Sequence, residues 1–461
     1  MSRRVPLNII GESYADETQP FSSQDCVNCE PIPAETDGTR GIQKLRGTPG
    51  LTTFGTVGTG TVRGNVALDE IAYYVADTMQ YSVASDGTAT ALGTIEGSGR
   101  VGIAENGIQT IVVNGEKAWT YTPGTSTFAE VTDADYSHSV DCCFVGGYIA
   151  HVEGDTDQWF ISALSDATSY SSNDYASAES ATDGLNGILA LNNDVWLFGP
   201  SSIEVWQNTG AADFPFERIS QIEKGLAATF AKAKLDNTIY WLGSNGIVYR
   251  AEGYSARRIS KRPIEQSIAS ETLSEAFAFA YEDAGNAYFV LTFPSGKTWV
   301  YNVATGRWHR RKSFEMERWR ANTYLFAYNK HLVGDTTQGK VWELDRSTFT
   351  EGTDPLVWER KSQFISADGE YLRAAELELE FDMGHGLTTG QGSAPLVDMC
   401  YSDDGGRNFT VWRQASLGLT GEYRNRARFH GLGRFRQRMF WIRISDPVPR
   451  DLVAATGKAA D

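Results

Sequence analysis

The sequence predicts an all-β protein: a β-propeller of six or seven blades, then a C-terminal antiparallel β domain, with an extended N-terminal arm in front. Two observations predict it. Runs rich in Val, Ile, Tyr, Phe and Trp recur along the 461 residues, each bounded by Gly, Asn, Asp or Ser turns. These runs also come as strand–turn–strand pairs, spaced near the roughly 40–50 residues of one propeller blade.

The arm is residues 1–55, which are loop-rich. The propeller is residues 56–352. Its clearest strands are Ile71–Val75, Ile108–Val113, Tyr148–Val152, Asp194–Phe198, Thr238–Leu242, Ala287–Phe293 and His331–Val333. Turns such as Glu105-Asn-Gly107, Leu191-Asn-Asn-Asp194 and Leu235-Asp-Asn237 precede them. A second strand carrying an aromatic follows: Trp119-Thr-Tyr121, Ile203–Trp206, Val248-Tyr249, Trp299–Tyr301 and Val341-Trp342. A four-stranded blade buries its faces only against other blades, so such units close into a ring. The competing architecture is a string of β-sandwiches. One helix is expected within Glu265–Phe277, capped by Ser270 or Ser274. Residues 353–461 form the C-terminal domain, where polar and apolar residues alternate across Ala375–Phe381. Gly384–Gly392 reads as a loop and Ala454–Asp461 as a frayed tail.

Composition narrows the function. Hydrophobic residues make up 41% and aromatics 12%, as in a folded globular chain. No run approaches eighteen apolar residues, and the basic start Met1-Ser-Arg-Arg-Val-Pro6 lacks the apolar core of a signal peptide, so no membrane insertion is expected. The net charge of −17 argues against wrapping nucleic acid, which needs Lys and Arg on phosphates. It suits plain solubility, or a surface that DNA passes without sticking.

The motifs point away from cofactors. Cys26 and Cys29 form a lone Cys-x-x-Cys without the second pair that zinc needs, and Pro31 and Pro33 follow where a redox site wants a helix. Neighbours on a strand point to opposite faces, so Cys142 and Cys143 cannot both ligate one metal. Gly97-Ser-Gly-Arg-Val-Gly102 matches a dinucleotide fingerprint, but a turn follows it rather than a helix. Gly296-Lys-Thr298 lacks the first P-loop glycine, position 291 being Leu. No metal, cofactor or catalytic residue is therefore expected. Ser402-x-Asp404-x-Gly406-x-x-Phe409 has the Asp-box pattern, a device that builds a turn: Asp404 accepts backbone N–H bonds, Gly406 takes positive φ and Phe409 packs beneath.

The C-terminal charge is distinctive. From Gly405 to Arg450 there are ten arginines, no lysine, and only Glu422 and Asp446 as acids. Arg424 to Arg438 reads as a hairpin turning at His430–Gly433. Alternation then puts Arg424, Arg426 and Arg428 on one face, opposite Arg434, Arg436 and Arg438. Like charges directly opposite destabilise a sheet, so six arginines together call for an anionic counterpart. The expected counterpart is an acidic surface of a neighbouring subunit or of the next ring, with Arg426→Glu/Arg436→Glu as the test.

Several word-like runs occur in a fixed order. They are Cys26-Val-Asn-Cys-Glu-Pro31, Leu45-Arg-Gly-Thr-Pro-Gly-Leu51, Val62-Arg-Gly64, Gly97-Ser-Gly-Arg-Val101 and Val113-Asn-Gly115, then Asp157-Gln-Trp-Phe160, Ala176-Ser-Ala-Glu-Ser180 and Thr182-Asp-Gly-Leu185. Phe198-Gly-Pro-Ser-Ser-Ile-Glu-Val-Trp206, Lys224-Gly225, Leu432-Gly-Arg-Phe-Arg436 and Ile444-Ser-Asp-Pro-Val448 complete the series. Together they resemble the tail hub, or nozzle, proteins of short-tailed bacteriophages, the packaged-DNA stabilisation family. The resemblance implies a hexameric ring in the virion tail, made in the host cytoplasm. It implies as partners an adaptor ring below the portal, a tailspike or fibre, and a tail needle. DNA would pass through without sequence-specific binding. The alternative function is a carbohydrate-binding or glycosidase-like propeller acting in receptor recognition. Tryptophans within the blades favour the hub, and several at a channel mouth favour the sugar site.

Overall fold

A computed structural model describes residues 4–15, 23–35, 42–179, 184–366 and 369–459. Thr182 and Asp183 of Thr182–Leu185, and Ser180 of Ala176–Ser180, therefore lie outside the described residues, as do parts of the expected arm. Among the described residues no helix is long and apolar enough to cross a membrane.

Among the described residues the propeller has seven four-stranded antiparallel units. Six use consecutive strands and span residues 62–94, 102–130, 141–177, 187–222, 232–258 and 277–311, here blades one to six. Blade seven takes Ala321–Ala327, Lys330–Asp335 and Lys340–Asp345, and its fourth strand is Gly50–Thr56. The first strand of blade seven packs against that of blade one, so the ring closes there. Each of the seven clearest strands read from the sequence is the second strand of one blade, as at Tyr148–Val152, Asp194–Phe198 and Thr238–Leu242. The connecting turns explain why. Asp69-Glu70, Asp236-Asn237 and Tyr328-Asn329 all have both residues at positive φ, the backbone twist that a tight hairpin requires.

The cores lie between blades. Trp159 fills the gap between blades three and four; Trp196, Trp241, Trp299 and Trp308 share the core of blades four to six. Cys142 and Cys143 point into different gaps, as adjacent strand residues must. A buried ion pair adds a clamp. Asp141, opening the first strand of blade three, accepts from the Ile188 amide of blade four at 3.1 Å and from Lys232 Nζ of blade five at 2.6 Å.

The expected arm is corrected. Gly50–Thr56 belongs to the propeller, and Ser23–Val27, Cys29–Pro33 and Gln43–Gly47 belong to the C-terminal domain. That domain is a sandwich. One sheet orders Cys29–Pro33, Gln43–Gly47, Leu452–Ala459, Leu372–Phe381 and Ala427–His430. The other orders Ser23–Val27, Trp358–Lys361, Gln437–Ile444, Leu396–Ser402 and Arg413–Ser416. Between them pack Leu45, Trp358, Leu377, Leu379, Phe429, Phe440 and Ile442. Val27 also pairs with Arg310, joining this sheet to blade six. The buried Arg360 guanidinium donates to the carbonyls of Ile9, Glu12 and Asp25, which pins the N-terminal segment to the sandwich.

Two smaller expectations change. The tail expected to fray from Ala454 is the strand Leu452–Ala459, held on one side by Leu372–Phe381 and on the other by Arg4–Pro6. The helix is Arg262–Ile268, earlier than expected, because Pro263 suits a first helical turn and a new strand starts at Phe277. Lys261 is its N-cap residue; neither Ser270 nor Ser274 caps it.

Candidate assembly surface

Strand Leu372–Phe381 organises the charged face of the sandwich. Its alternation brings Glu376, Glu378 and Glu380 to one side. Arg428 Nε reaches Glu378 at 2.8 Å, Arg426 Nη2 reaches Glu380 at 2.8 Å, and His430 Nδ1 lies 3.2 Å from Glu376. From the other flank Arg4 meets Glu376 and Glu378 at 3.4 and 3.2 Å. Arg438 turns inward instead. It is 1% exposed, forks onto Asp403 at 2.6 and 2.7 Å, and donates to the Leu432 carbonyl.

The six-arginine hairpin face is thus overturned as a geometry. Ala427–His430 and Arg434–Phe435 do not pair with each other; both lie along Leu372–Phe381 in succession. Gly431 and Gly433, at φ +64° and +74°, make the offset between them. The glutamates of that strand are the better cross-strand neighbours, and Phe429, Leu432 and Phe435 are buried by the arrangement. The anionic counterpart of Arg426, Arg428 and Arg438 therefore lies in this chain. The signal for it was the Glu-Leu-Glu-Leu-Glu alternation itself.

Arg424, Arg434 and Arg436 remain exposed, with no carboxylate partner among the described residues. Arg434 sits directly across from Arg373, a like-charge pair in register. The guanidiniums of Arg434 and Arg436 lie 3.8 and 4.6 Å from the centre of the Tyr371 ring. Neither Tyr371 nor Arg373 was picked out by sequence reasoning, since nothing local marks them.

The Asp-box residues form a tight turn between Leu396–Ser402 and Arg413–Ser416. Asp404 Oδ1 accepts from the Arg407 and Asn408 amides at 3.1 and 2.9 Å and from Ser402 Oγ at 2.7 Å. Those hydrogen bonds hold its carboxyl well below the usual carboxylate range. Gly406 has φ +82°, and the Phe409 ring packs edge-on to Trp441 at 5.2 Å.

The five cysteines, His151 and His309 are buried. Cys26 and Cys29 touch at 2.9 Å between sulfurs inside the sandwich core, and burial pushes the Cys29 thiol well up. Burial likewise lowers His151 to about 3, leaving it neutral between Ser139 and Tyr170. Among the described residues no group of three or more His, Cys, Asp and Glu is placed to hold a metal ion. Trp119, Trp159, Trp196, Trp241, Trp299, Trp308, Trp319, Trp342 and Trp358 are buried. The half-buried Trp206 packs on Trp159, and Trp412 on Trp441.

Comparison with known proteins gives three findings. The family description "Bacteriophage P22 Gp10, beta-propeller" matches residues 3–349, and "Bacteriophage P22 Gp10, beta-sandwich" matches residues 357–459. The tail hub protein gp10 of Salmonella phage P22 is 28% identical over 204 residues. That alignment covers 40% of this chain and 43% of gp10, under half the length of the relative. Among solved structures, the computationally designed Ika8 protein superposes with a TM-score of 0.41 at 11% identity, covering 63% of this chain and 99% of that one.

Proposed function

The chain belongs to the bacteriophage P22 Gp10 family, and from that membership we propose that it is a structural component of a virion tail. In this reading it is the ring-forming hub, or nozzle, that closes the channel below the portal and adaptor, stabilises packaged DNA and becomes the ejection conduit. It is made in the host cytoplasm, assembles as a hexamer, and carries a tailspike or fibre and a needle. The observation that supports the reading is the match to both family domains, propeller and sandwich, in one chain. The net charge of −17 suits a conduit, since an acidic wall repels the phosphate backbone and lets DNA slide.

Of the six arginines expected at an interface, Arg424, Arg434 and Arg436 are the ones free to meet a partner. The double reversal at Arg426 and Arg436 is then a poor probe. A glutamate at 426 would face Glu380 and weaken the sheet itself.

DNA retention tests the function. Filled heads that carry the adaptor but lack this protein are mixed with it, and nuclease-sensitive DNA is measured. The expected outcome is that leakage stops. Unchanged leakage with the protein left unbound overturns the hub reading.

A further inference from the structure

We propose that the corner formed by Tyr371, Arg373, Arg434 and Arg436, with the apolar groove beside it, docks the acidic propeller of a second copy of this chain. The inference rests on the ring-forming reading and deepens it by naming the contact.

The first argument is local charge. Glu376, Glu378 and Glu380, at the far end of strand Leu372–Phe381, have Arg4, Arg428 and Arg426 beside them, yet Arg373 and Arg434 face each other across the ladder. Like charges in register cost stability in the isolated subunit. No carboxylate among the described residues lies within ion-pair distance of Arg373, Arg434 or Arg436. The exposed Glu370, next to Tyr371, makes no ion pair either.

The second argument is order. Tyr371 is 49% exposed, and its ring carries both the Arg434 and Arg436 guanidiniums. Stacking fixes the planes of the two forks while their N–H edges stay open for carboxylates. Side chains held in advance lose less freedom on binding.

The third argument is the neighbouring groove of about 440 Å³, floored by Leu7, Phe364, Ile365, Leu372 and Phe435, with Arg373, Glu376 and Lys458 on its lining. An apolar floor with a charged edge is the anatomy of a protein contact, an apolar centre with a polar rim.

The charge ledger identifies the occupant. Residues 50–350, which carry the propeller, hold thirty-five acids and twenty-two bases, so most of the net charge of −17 lies there, while residues 351–461 hold sixteen acids and fourteen bases. The complement to the corner is therefore the propeller of another copy. Two corners cannot meet about a two-fold axis, because that would press cation on cation. The contact joins different surfaces on the two copies, and contacts of that kind close into rings when the rotation allows.

The test compares the full chain with Arg373→Gln/Arg434→Gln/Arg436→Gln and with Arg373→Glu/Arg434→Glu/Arg436→Glu. Sedimentation velocity is run over a concentration series at low and high salt. The wild type is expected to assemble, less so at high salt as screening shortens the reach of charge. The glutamine variant should need at least tenfold more protein to assemble, and the glutamate variant should stay monomeric. Arg407→Glu, exposed on the Asp-box turn outside the corner, should assemble as the wild type does. Removing like-charge repulsion should leave the melting temperature of the glutamine variant no lower, which separates assembly from folding. Assembly of both variants at wild-type concentrations overturns the corner and leaves the ring reading standing. A wild type that stays monomeric at every concentration overturns both the corner and self-assembly, and DNA retention then judges the hub on its own.

Discussion

Arg438 is 1% exposed, while Asp403, its bidentate partner, is 40% exposed. The two halves of this pair therefore differ in what their loss leaves behind. Asp403→Ala strands a buried guanidinium with the Leu432 carbonyl as its remaining hydrogen-bond acceptor, a loss of about 3–5 kcal/mol. Arg438→Met keeps an apolar stem against Phe435 and Tyr401 and leaves a carboxylate that water can reach, a loss of about 1.5–3 kcal/mol. Denaturant unfolding of the two variants checks the order, and an Asp403→Ala loss no larger than that of Arg438→Met sinks the argument. The same residues show what composition can tell. Ten arginines with two acids between Gly405 and Arg450 marked the region as charged. Which arginines pair at home depends on the offset at Gly431 and Gly433, and on Glu376, Glu378 and Glu380 some fifty residues upstream. Neither is a local property of the arginine run.

Among the elements, the second strand of each blade was the easiest to read. Tyr148–Val152 and Thr238–Leu242 are buried on both faces, so they appear as near-continuous apolar runs after a turn that demands positive φ. The outer strands are partly exposed and mixed, as in Thr127–Glu130 and Ser255–Arg258, and leave a weaker pattern. Contacts between blades leave none. Asp141 and Lys232 are 91 residues apart, yet their 2.6 Å pair, with the Ile188 amide, ties three blades together. Asp141→Ala leaves Lys232 Nζ buried with the Thr229 carbonyl, and the expected loss is about 3–5 kcal/mol, a large share of the 5–15 kcal/mol that holds an ordinary domain. Asp141→Leu combined with Lys232→Met should recover most of it, because the desolvated charge goes too. The melting temperatures of both variants decide this: a double variant no more stable than the single one would mean the pair does more than satisfy its own burial.

At the scale of the whole molecule, the sequence announced a propeller and a second β domain but misplaced the seam between them. An arm was the natural reading of residues 1–55, since Pro31, Pro33, Pro49 and the glycines break any long pattern. Each short strand there completes a sheet begun elsewhere: Gly50–Thr56 closes blade seven, and Ser23–Val27, Cys29–Pro33 and Gln43–Gly47 finish the sandwich. Such pairings cross the full length of the chain, as at Cys26 with Arg360 and Leu51 with Leu344. The two family domains, though separable as residues 3–349 and 357–459, are then one folding problem. A fragment of residues 357–459 would lack Ser23–Val27, Cys29–Pro33, Gln43–Gly47 and the edge strand Arg4–Pro6, and would uncover Trp358, Leu377 and Leu379, now wholly buried. An apolar core opened this way collapses without unique packing. Circular dichroism and proton NMR of the fragment should show β structure without dispersed side-chain signals, and a sharp, dispersed spectrum would show that the sandwich needs nothing from the N-terminus. Adding residues 4–56 as a separate peptide should restore dispersion if the missing strands are the cause, because that peptide supplies Ser23–Val27, Cys29–Pro33 and Gln43–Gly47 together with the segment that Arg360 pins.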